Sequence, residues 1–316
     1  MNMPATRKRR PQITIAGSAG SGKTTVSRSL ATELACHYHS TGSLQRETAR
    51  SLGLTTLQLN LVAENAPGID ETIDSDLRSL AGLEHIVVDS RMAWHFLPDS
   101  FRVCLIVSAE EAARRIIDDG NRDAERYVSL NAAIGAVEAR ALSERKRFFN
   151  TYGVEITSFR NYDYVIDTEL LDAAQVVEYI IAGYKLWLSK LHFAKALVSP
   201  AILFPSRATE ASEVLEIEGM AENIERLGVT PFDAPTALFY MGRHIIANGH
   251  RNVRAAIKAG VAAVPVKYVN DIGILNRGAL TTEEFVRKFV NRTTLLDWER
   301  ACGIRLPHPP PSRRGE

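Results

Sequence analysis

The chain has 316 residues, 45% of them apolar and 24% charged, with a formal charge of +1 at neutral pH. That length allows two ordinary domains at roughly 100–200 residues each, and the near-balanced charge removes any global electrostatic case for a nucleic-acid or membrane partner, so a basic surface must be local. Three cysteines, Cys36, Cys104 and Cys302, stand far apart with no pair at metal-ligand spacing, which argues against a disulfide framework and for reduced thiols in a cytoplasmic setting.

The first stretch, residues 1–11, carries Arg7-Lys8-Arg9-Arg10 and reads as a basic disordered tail. The apolar run after it is too short for a signal peptide or for the ~20 residues of a membrane span. From residue 12 strand-like and helix-like segments alternate. Ile13–Ala16, Ile86–Asp89, Val103–Val107 and Tyr164–Asp167 are short, β-branched and almost wholly apolar, as suits strands buried on both faces of a parallel sheet. Helical patterns run from Thr24 to Ala35, Ile73 to Ala81, Ala109 to Asp118 and Asp172 to about Leu191. This alternation predicts a doubly wound α/β domain over residues 12–192.

Around Pro200, Pro205 and Ser206 the pattern changes, and a smaller α+β module is predicted over 193–300. It has helices from Ala211 to Leu227 and Asn252 to Ala259, stopped by Gly228 and Gly260, and a strand over Val264–Val269. Residues 301–316, rich in proline, read as a disordered tail.

Gly17-Ser18-Ala19-Gly20-Ser21-Gly22-Lys23-Thr24 fits G-x-x-x-x-G-K-[ST] between a predicted strand and a predicted helix. Glycines at this spacing let backbone N–H groups wrap phosphate oxygens at a helix N-terminus. With Thr25 these residues are expected to bind ATP, Lys23 reaching the β- and γ-phosphates and the Thr24 hydroxyl holding Mg²⁺. Asp89, ending a strand, either orients the same Mg²⁺ or caps the next turn.

The segments that follow carry a resemblance. His39-Ser40-Thr41-Gly42-Ser43-Leu44-Gln45-Arg46-Glu47 resembles the acceptor-binding loop of nucleoside-monophosphate kinases. Asp89-Ser90-Arg91 resembles their D-G-R triplet, with Ser90 in the place of glycine. Arg140 to Phe148, Tyr152 to Glu155 and Asn161 to Thr168 resemble the lid and last strand of cytidylate kinases, above all the compact archaeal-type branch. The resemblance spans roughly residues 12–190 and implies a P-loop kinase fold with a helical lid. It implies ATP and Mg²⁺ as cofactors, Thr41, Gly42, Arg46, Asp89 and Arg91 around the acceptor, and Arg122, Arg140 and Arg145 as lid arginines. Phosphoryl transfer suits such a set, since it needs two anions held in line and their charge neutralised. Arg140 and Glu144 alternatively form an ordinary i,i+4 pair. Asp74 either accepts from the acceptor base or caps a helix.

In the second module, Gly249-His250-Arg251-Asn252-Val253-Arg254-Ala255-Ala256 resembles the phosphate-binding segment of ParB-like proteins. It implies a second phosphate site at Gly249, His250, Arg251 and Arg254, for a nucleotide or nucleic acid. Gly249 stands where sulfiredoxins of the same superfamily need cysteine, which disfavours redox chemistry. Too few residues follow for the helix-turn-helix of a partition protein.

The leading expectation is an ATP-dependent kinase for a nucleotide-type acceptor, CMP or dCMP, with no membrane association. The fused module raises a second reading, a DNA kinase acting on hydroxymethylated bases such as 5-hydroxymethyluracil. A third is a nucleotide-switched, DNA-associated ATPase, which would have no need for acceptor-clamping arginines.

Overall fold

The computed structural model describes residues 11–55, 58–59, 62, 68–119, 127–228, 234–269, 272–273, 278 and 280–306. The basic run Arg7–Arg10, the lid candidate Arg122 and the proline-rich end at 307–316 lie outside the described residues. The chain divides into two compact units, Met1–His192 and Phe193–Glu316.

The first unit is an α/β fold built on a parallel sheet. Its strands are β1 (Gln12–Gly17), β2 (His37–Ser40), β3 (Ile86–Asp89), β4 (Phe101–Ile106) and β5 (Tyr164–Asp167), in the order β2-β3-β1-β4-β5. Ile13 lies opposite Val87 on β3 and Phe101 on β4. Consecutive residues of β1, β3 and β5 are buried, so side chains on both faces of the sheet meet protein rather than water.

The helices of this unit carry their start and stop signals in the sequence. After β1 comes α1 (Lys23–Glu33), and after β2 comes α2 (Thr41–Ser51). Two more, α3 (Gly68–Ser79) and the single turn α4 (Ala93–Phe96), flank β3. Ser108 caps α5 (Ala109–Asp118) by accepting from Glu111 N–H. Ser129 does the same for α6 (Leu130–Tyr152), which Gly153 ends at φ 69°. A capping box of Asp172 and Gln175 opens α7 (Ala173–Leu188). The expected helix reached Leu191; it stops short, and Lys190 turns to φ 54°.

Because the strands are parallel, the carboxyl ends of β1, β2 and β3 emerge together, with Ile15 and Ser40 each opposite Asp89. β1 also sits where the strand order reverses direction along the chain, the position at which open α/β sheets bind ligands.

The second unit holds β6 (Ala196–Val198), β7 (Leu203–Phe204), α8 (Val214–Leu227), β8 (Thr236–Tyr240), β9 (Arg243–Asn248), α9 (His250–Lys258), β10 (Val264–Pro265), β11 (Lys267–Tyr268), α10 (Thr282–Phe289) and α11 (Arg292–Cys302). β8 and β9 form an antiparallel hairpin, β7 runs parallel to β9, and β11 runs parallel to β8. The strand expected over Val264–Val269 is in fact two: β10 pairs with β6 and β11 with β8, so the chain changes partner at Val266. Apolar residues of α8, α9 and α11, including Ile217, Val253 and Trp298, pack into one core. Among the described residues no helix is long and apolar enough to cross a membrane.

Candidate active site

The loop between β1 and α1 is bent by left-handed glycines, Gly20 at φ 76° and Gly22 at φ 80°. Gly22 is the N-cap of α1 and offers no side chain to its first turn, so those N–H groups stay available to an anion. The loop is tight: a Cβ on Gly20 would lie 2.7 Å from the backbone of Ala112 on α5. Lys23 Nζ donates to Ser18 O at 2.7 Å. Burial foremost, then the neighbouring Arg91 guanidinium, brings the Lys23 pKa down to about 7.

The Thr24 hydroxyl donates to Asp89 Oδ2 at 2.8 Å, and Tyr38 and Ser40 donate to the same oxygen at 3.3 and 3.4 Å. This hydroxyl and this carboxylate are hard oxygens of the kind that would hold Mg²⁺. The residues present therefore fit both a nucleotide phosphate chain and its ion.

A cleft of about 860 Å³ opens from this loop. Of the ATP-side residues expected from sequence, it is lined by Ala19, Gly20, Gly22, Lys23, Thr24 and Thr25. Gly17, Ser18 and Ser21 shape the loop without lining the cleft; the Ser21 hydroxyl donates to Ser18 O at 2.9 Å. The expected acceptor residues Thr41, Gly42, Arg46, Asp74, Asp89 and Arg91 all line it. Arg46 extends over Gly42, where an added Cβ would sit 3.4 Å from its Nη1. Asp74 has both oxygens engaged, by Tyr152 Oη at 2.8 Å and Arg78 Nη2 at 3.4 Å. The departure at Ser90 has a local reason: its hydroxyl accepts from Met92 N–H at 3.3 Å and so caps the turn that carries Arg91.

The lid arginines divide. Arg140 lines the cleft and donates to Glu144 at 3.0 Å. Arg145, expected among the catalytic residues, does not line it. Its guanidinium is half exposed and pairs with Glu155 at 2.7 Å, on the far side of the helix from Arg140. A different residue, Arg147, lines the cleft at 4% exposure and stacks on Phe148 with 4.9 Å to the ring centre. Positions 140, 144 and 147 share one face of a helix at i, i+4 and i+7, and that spacing was the overlooked signal. Arg28 and Arg50, also cleft residues, were likewise not singled out; Arg50 follows Arg46 by one helical turn.

In the second unit, the two arginines of the expected second phosphate site pair with carboxylates of their own chain. Gly249 caps α9 at φ 88°, beside Pro235. His250 is buried and accepts from Ser206 N–H at 3.0 Å. Burial, then Arg207, takes its pKa down to about 3, so it is neutral. Arg251 pairs with Glu216 at 2.5 Å and Arg254 with Glu213 at 3.3 Å.

A phosphate loop on a parallel sheet, facing arginines across a cleft, defines the P-loop kinases. The cytidylate kinase-like family model matches residues 12–170, and the chain belongs to that family. It is 31% identical to a cytidylate kinase of Methanothrix thermoacetophila over 173 residues, 55% of this chain and 97% of that protein. It is 35% identical over 176 residues to an S-adenosylmethionine-dependent nucleotide dehydratase of Lacinutrix mariniflava, where the match spans 55% of this chain but only 36% of that protein. Among solved structures, shikimate kinase from Acinetobacter baumannii is similar at 20% identity and a TM-score of 0.40, over 58% of this chain and 96% of that one. The second unit lies beyond the residues the family model matches.

Proposed function

We propose that the protein is an ATP- and Mg²⁺-dependent nucleoside-monophosphate kinase whose acceptor is CMP or dCMP. The observation that carries this reading is one cleft with two kinds of anion site. At one end stand Lys23, the open N-terminus of α1 and the Thr24–Asp89 pair; on its other walls stand Arg46, Arg91, Arg140 and Arg147. A switch protein has no use for the second set, whereas transfer between two phosphates requires it.

When bound, MgATP supplies the phosphoryl group. Thr24 and Asp89 hold the ion, and Lys23 with the N–H groups of the loop holds the phosphate chain. Phosphate favours the charged form of Lys23, which reverses the effect of burial. Arg46 and Arg91 hold the acceptor phosphate, and Arg140 and Arg147 offset the charge that redistributes during transfer. Asp74, on the acceptor wall and tied to Tyr152, faces the base. The similarity to cytidylate kinases over nearly their full length supports the choice of base.

The test is transfer from γ-labelled ATP to a panel of free nucleoside monophosphates and, in parallel, to duplex DNA with and without 5-hydroxymethyluracil. Label on CMP or dCMP is the expected result. Label on the modified DNA alone overturns this reading in favour of a DNA kinase, and ATP hydrolysis without any labelled acceptor favours a switch.

A further inference from the structure

Glu144 is the least expected group near the cleft. It lies in the middle of α6 at 3% exposure, yet it keeps its charge. Burial opposes ionisation, but Arg91, Arg140 and Arg147 outweigh it and hold the carboxyl below its ordinary value. Its two oxygens divide between two elements. Oε1 accepts from Arg140 Nε at 3.0 Å from the preceding turn of the same helix, and Oε2 lies 2.6 Å from Arg91 Nε on the segment after β3, a close ion contact that lacks hydrogen-bond geometry. Both approaches are closest at Nε, the inner nitrogen of the guanidinium. Arg91 and Arg140 line the cleft and Glu144 does not, so the carboxylate stands behind them. A surface i,i+4 pair would be exposed and would join one helix to itself; this one is buried and joins the lid helix to the β3 end of the sheet.

We propose that Glu144 is a positioning residue for phosphoryl transfer, holding Arg91 and Arg140 from behind so that both present their outer nitrogens to the phosphates in the cleft. The proposal rests on the kinase reading above for its kinetic consequences. The physical case is one of crowded charge. Lys23, Arg91, Arg140 and Arg147 share a small volume, and without a buried anion they repel one another and swing apart. A guanidinium anchored at its inner edge loses fewer rotamers when it meets phosphate, and its outer pair of nitrogens matches two phosphate oxygens.

The experiment compares Glu144→Gln and Glu144→Asp with the parent protein. Glu144→Gln keeps the shape and removes the charge; it is expected to lower kcat/KM for the acceptor by about 10- to 100-fold, the cost common for a residue that orients a ligand-binding group. Glu144→Asp, which keeps the charge, is expected to recover part of that loss, and ATP affinity is expected to stay within about threefold in both, because the loop's N–H groups carry that binding. A second readout needs no turnover: stabilisation by inorganic phosphate, read as a rise in Tm, is expected to weaken in Glu144→Gln. A lower Tm with unchanged acceptor constants and unchanged phosphate response would show a merely structural residue and overturn the proposal. Tighter acceptor or phosphate binding in Glu144→Gln would show a competitor for the site and overturn it equally. If the parent phosphorylates no nucleotide, the kinase reading falls, and the phosphate titration still decides the role of Glu144.

Discussion

Each unit gathers three arginines around one glutamate, and the two clusters sit in different surroundings. In the first, Arg91, Arg140 and Arg147 surround Glu144, and all three arginines line a cleft that also holds Lys23 and Thr24. In the second, Arg207, Arg251 and Arg254 surround Glu213, with Glu216 taking a further share of Arg251. Glu144 sits behind its arginines, away from the open volume. Glu213 ties the segment before α8 to the start of α9, and one of its partners, Arg254, lines a smaller cavity of about 350 Å³. The count of arginines is the same in both; what differs is the open volume beside them, about 860 Å³ lined by all three arginines in the first cluster and about 350 Å³ lined by one in the second.

Four measurements would break or sharpen that contrast. The largest effect is expected from Lys23→Ala, which should cost on the order of 10²–10³-fold in kcat, as loss of a principal transition-state donor does; undiminished turnover would remove the phosphate loop from the chemistry. Next, Arg147→Ala should lower kcat/KM by about tenfold or more, while Arg145→Ala, which breaks only a half-exposed pair, should stay within about twofold. Equal losses in the two variants would mean that the lid rearranges before transfer. Glu213→Gln should cost about 1–3 kcal/mol of stability, since it strips the partner from buried Arg254, and should leave the acceptor constants untouched. An altered acceptor KM would show that the two clusters communicate.

The fourth measurement is of a pH dependence in the second unit. His250 stays neutral in the folded chain down to about pH 3, held there by burial. Between pH 6.5 and about 3 the unfolded chain binds a proton at this position that the folded chain refuses, so stability falls as pH falls, by at most about 1.4 kcal/mol per pH unit. His250→Gln should flatten that part of the stability curve, measured by denaturant unfolding at a series of pH values.

The parts legible in the sequence were those written in local chemistry. Glycine spacing marked the phosphate loop, apolar β-branched runs marked four strands of the parallel sheet but not the polar His37–Ser40, and Asp172 marked a helix start. The hairpin of β8 and β9 was missed because its turn, Met241-Gly242, carries no Asn-Gly or Asp-Gly signal; Met241 takes φ 47° nonetheless, imposed by the strands on either side. The change of partner at Val266 is equally invisible, since a run of apolar residues does not say which neighbour each one meets. In the site, Arg46 and Arg91 were found through loops that resemble a known family. Arg145 was favoured over Arg147 because the linear run Arg145-Lys146-Arg147 does not show which of its members turns inward, although the period from Arg140 does.

The backbone of the phosphate loop is also tethered from outside. Arg115 on α5 reaches Gly20 O at 3.5 Å and Thr168 Oγ1 at 3.1 Å, and the Thr168 hydroxyl touches Ser21 O at 3.2 Å. Arg115 also donates to the carbonyls of Thr168 and Glu169 at 2.6 and 3.1 Å, so the segment after β5 is fastened to α5. Two loop carbonyls are thus held by groups remote in the chain, and their peptide planes are set during folding, before any nucleotide arrives. Binding then has no peptide planes to reorient, and a substitution at Thr168, far from the motif in sequence, would be felt first as a loss of nucleotide affinity.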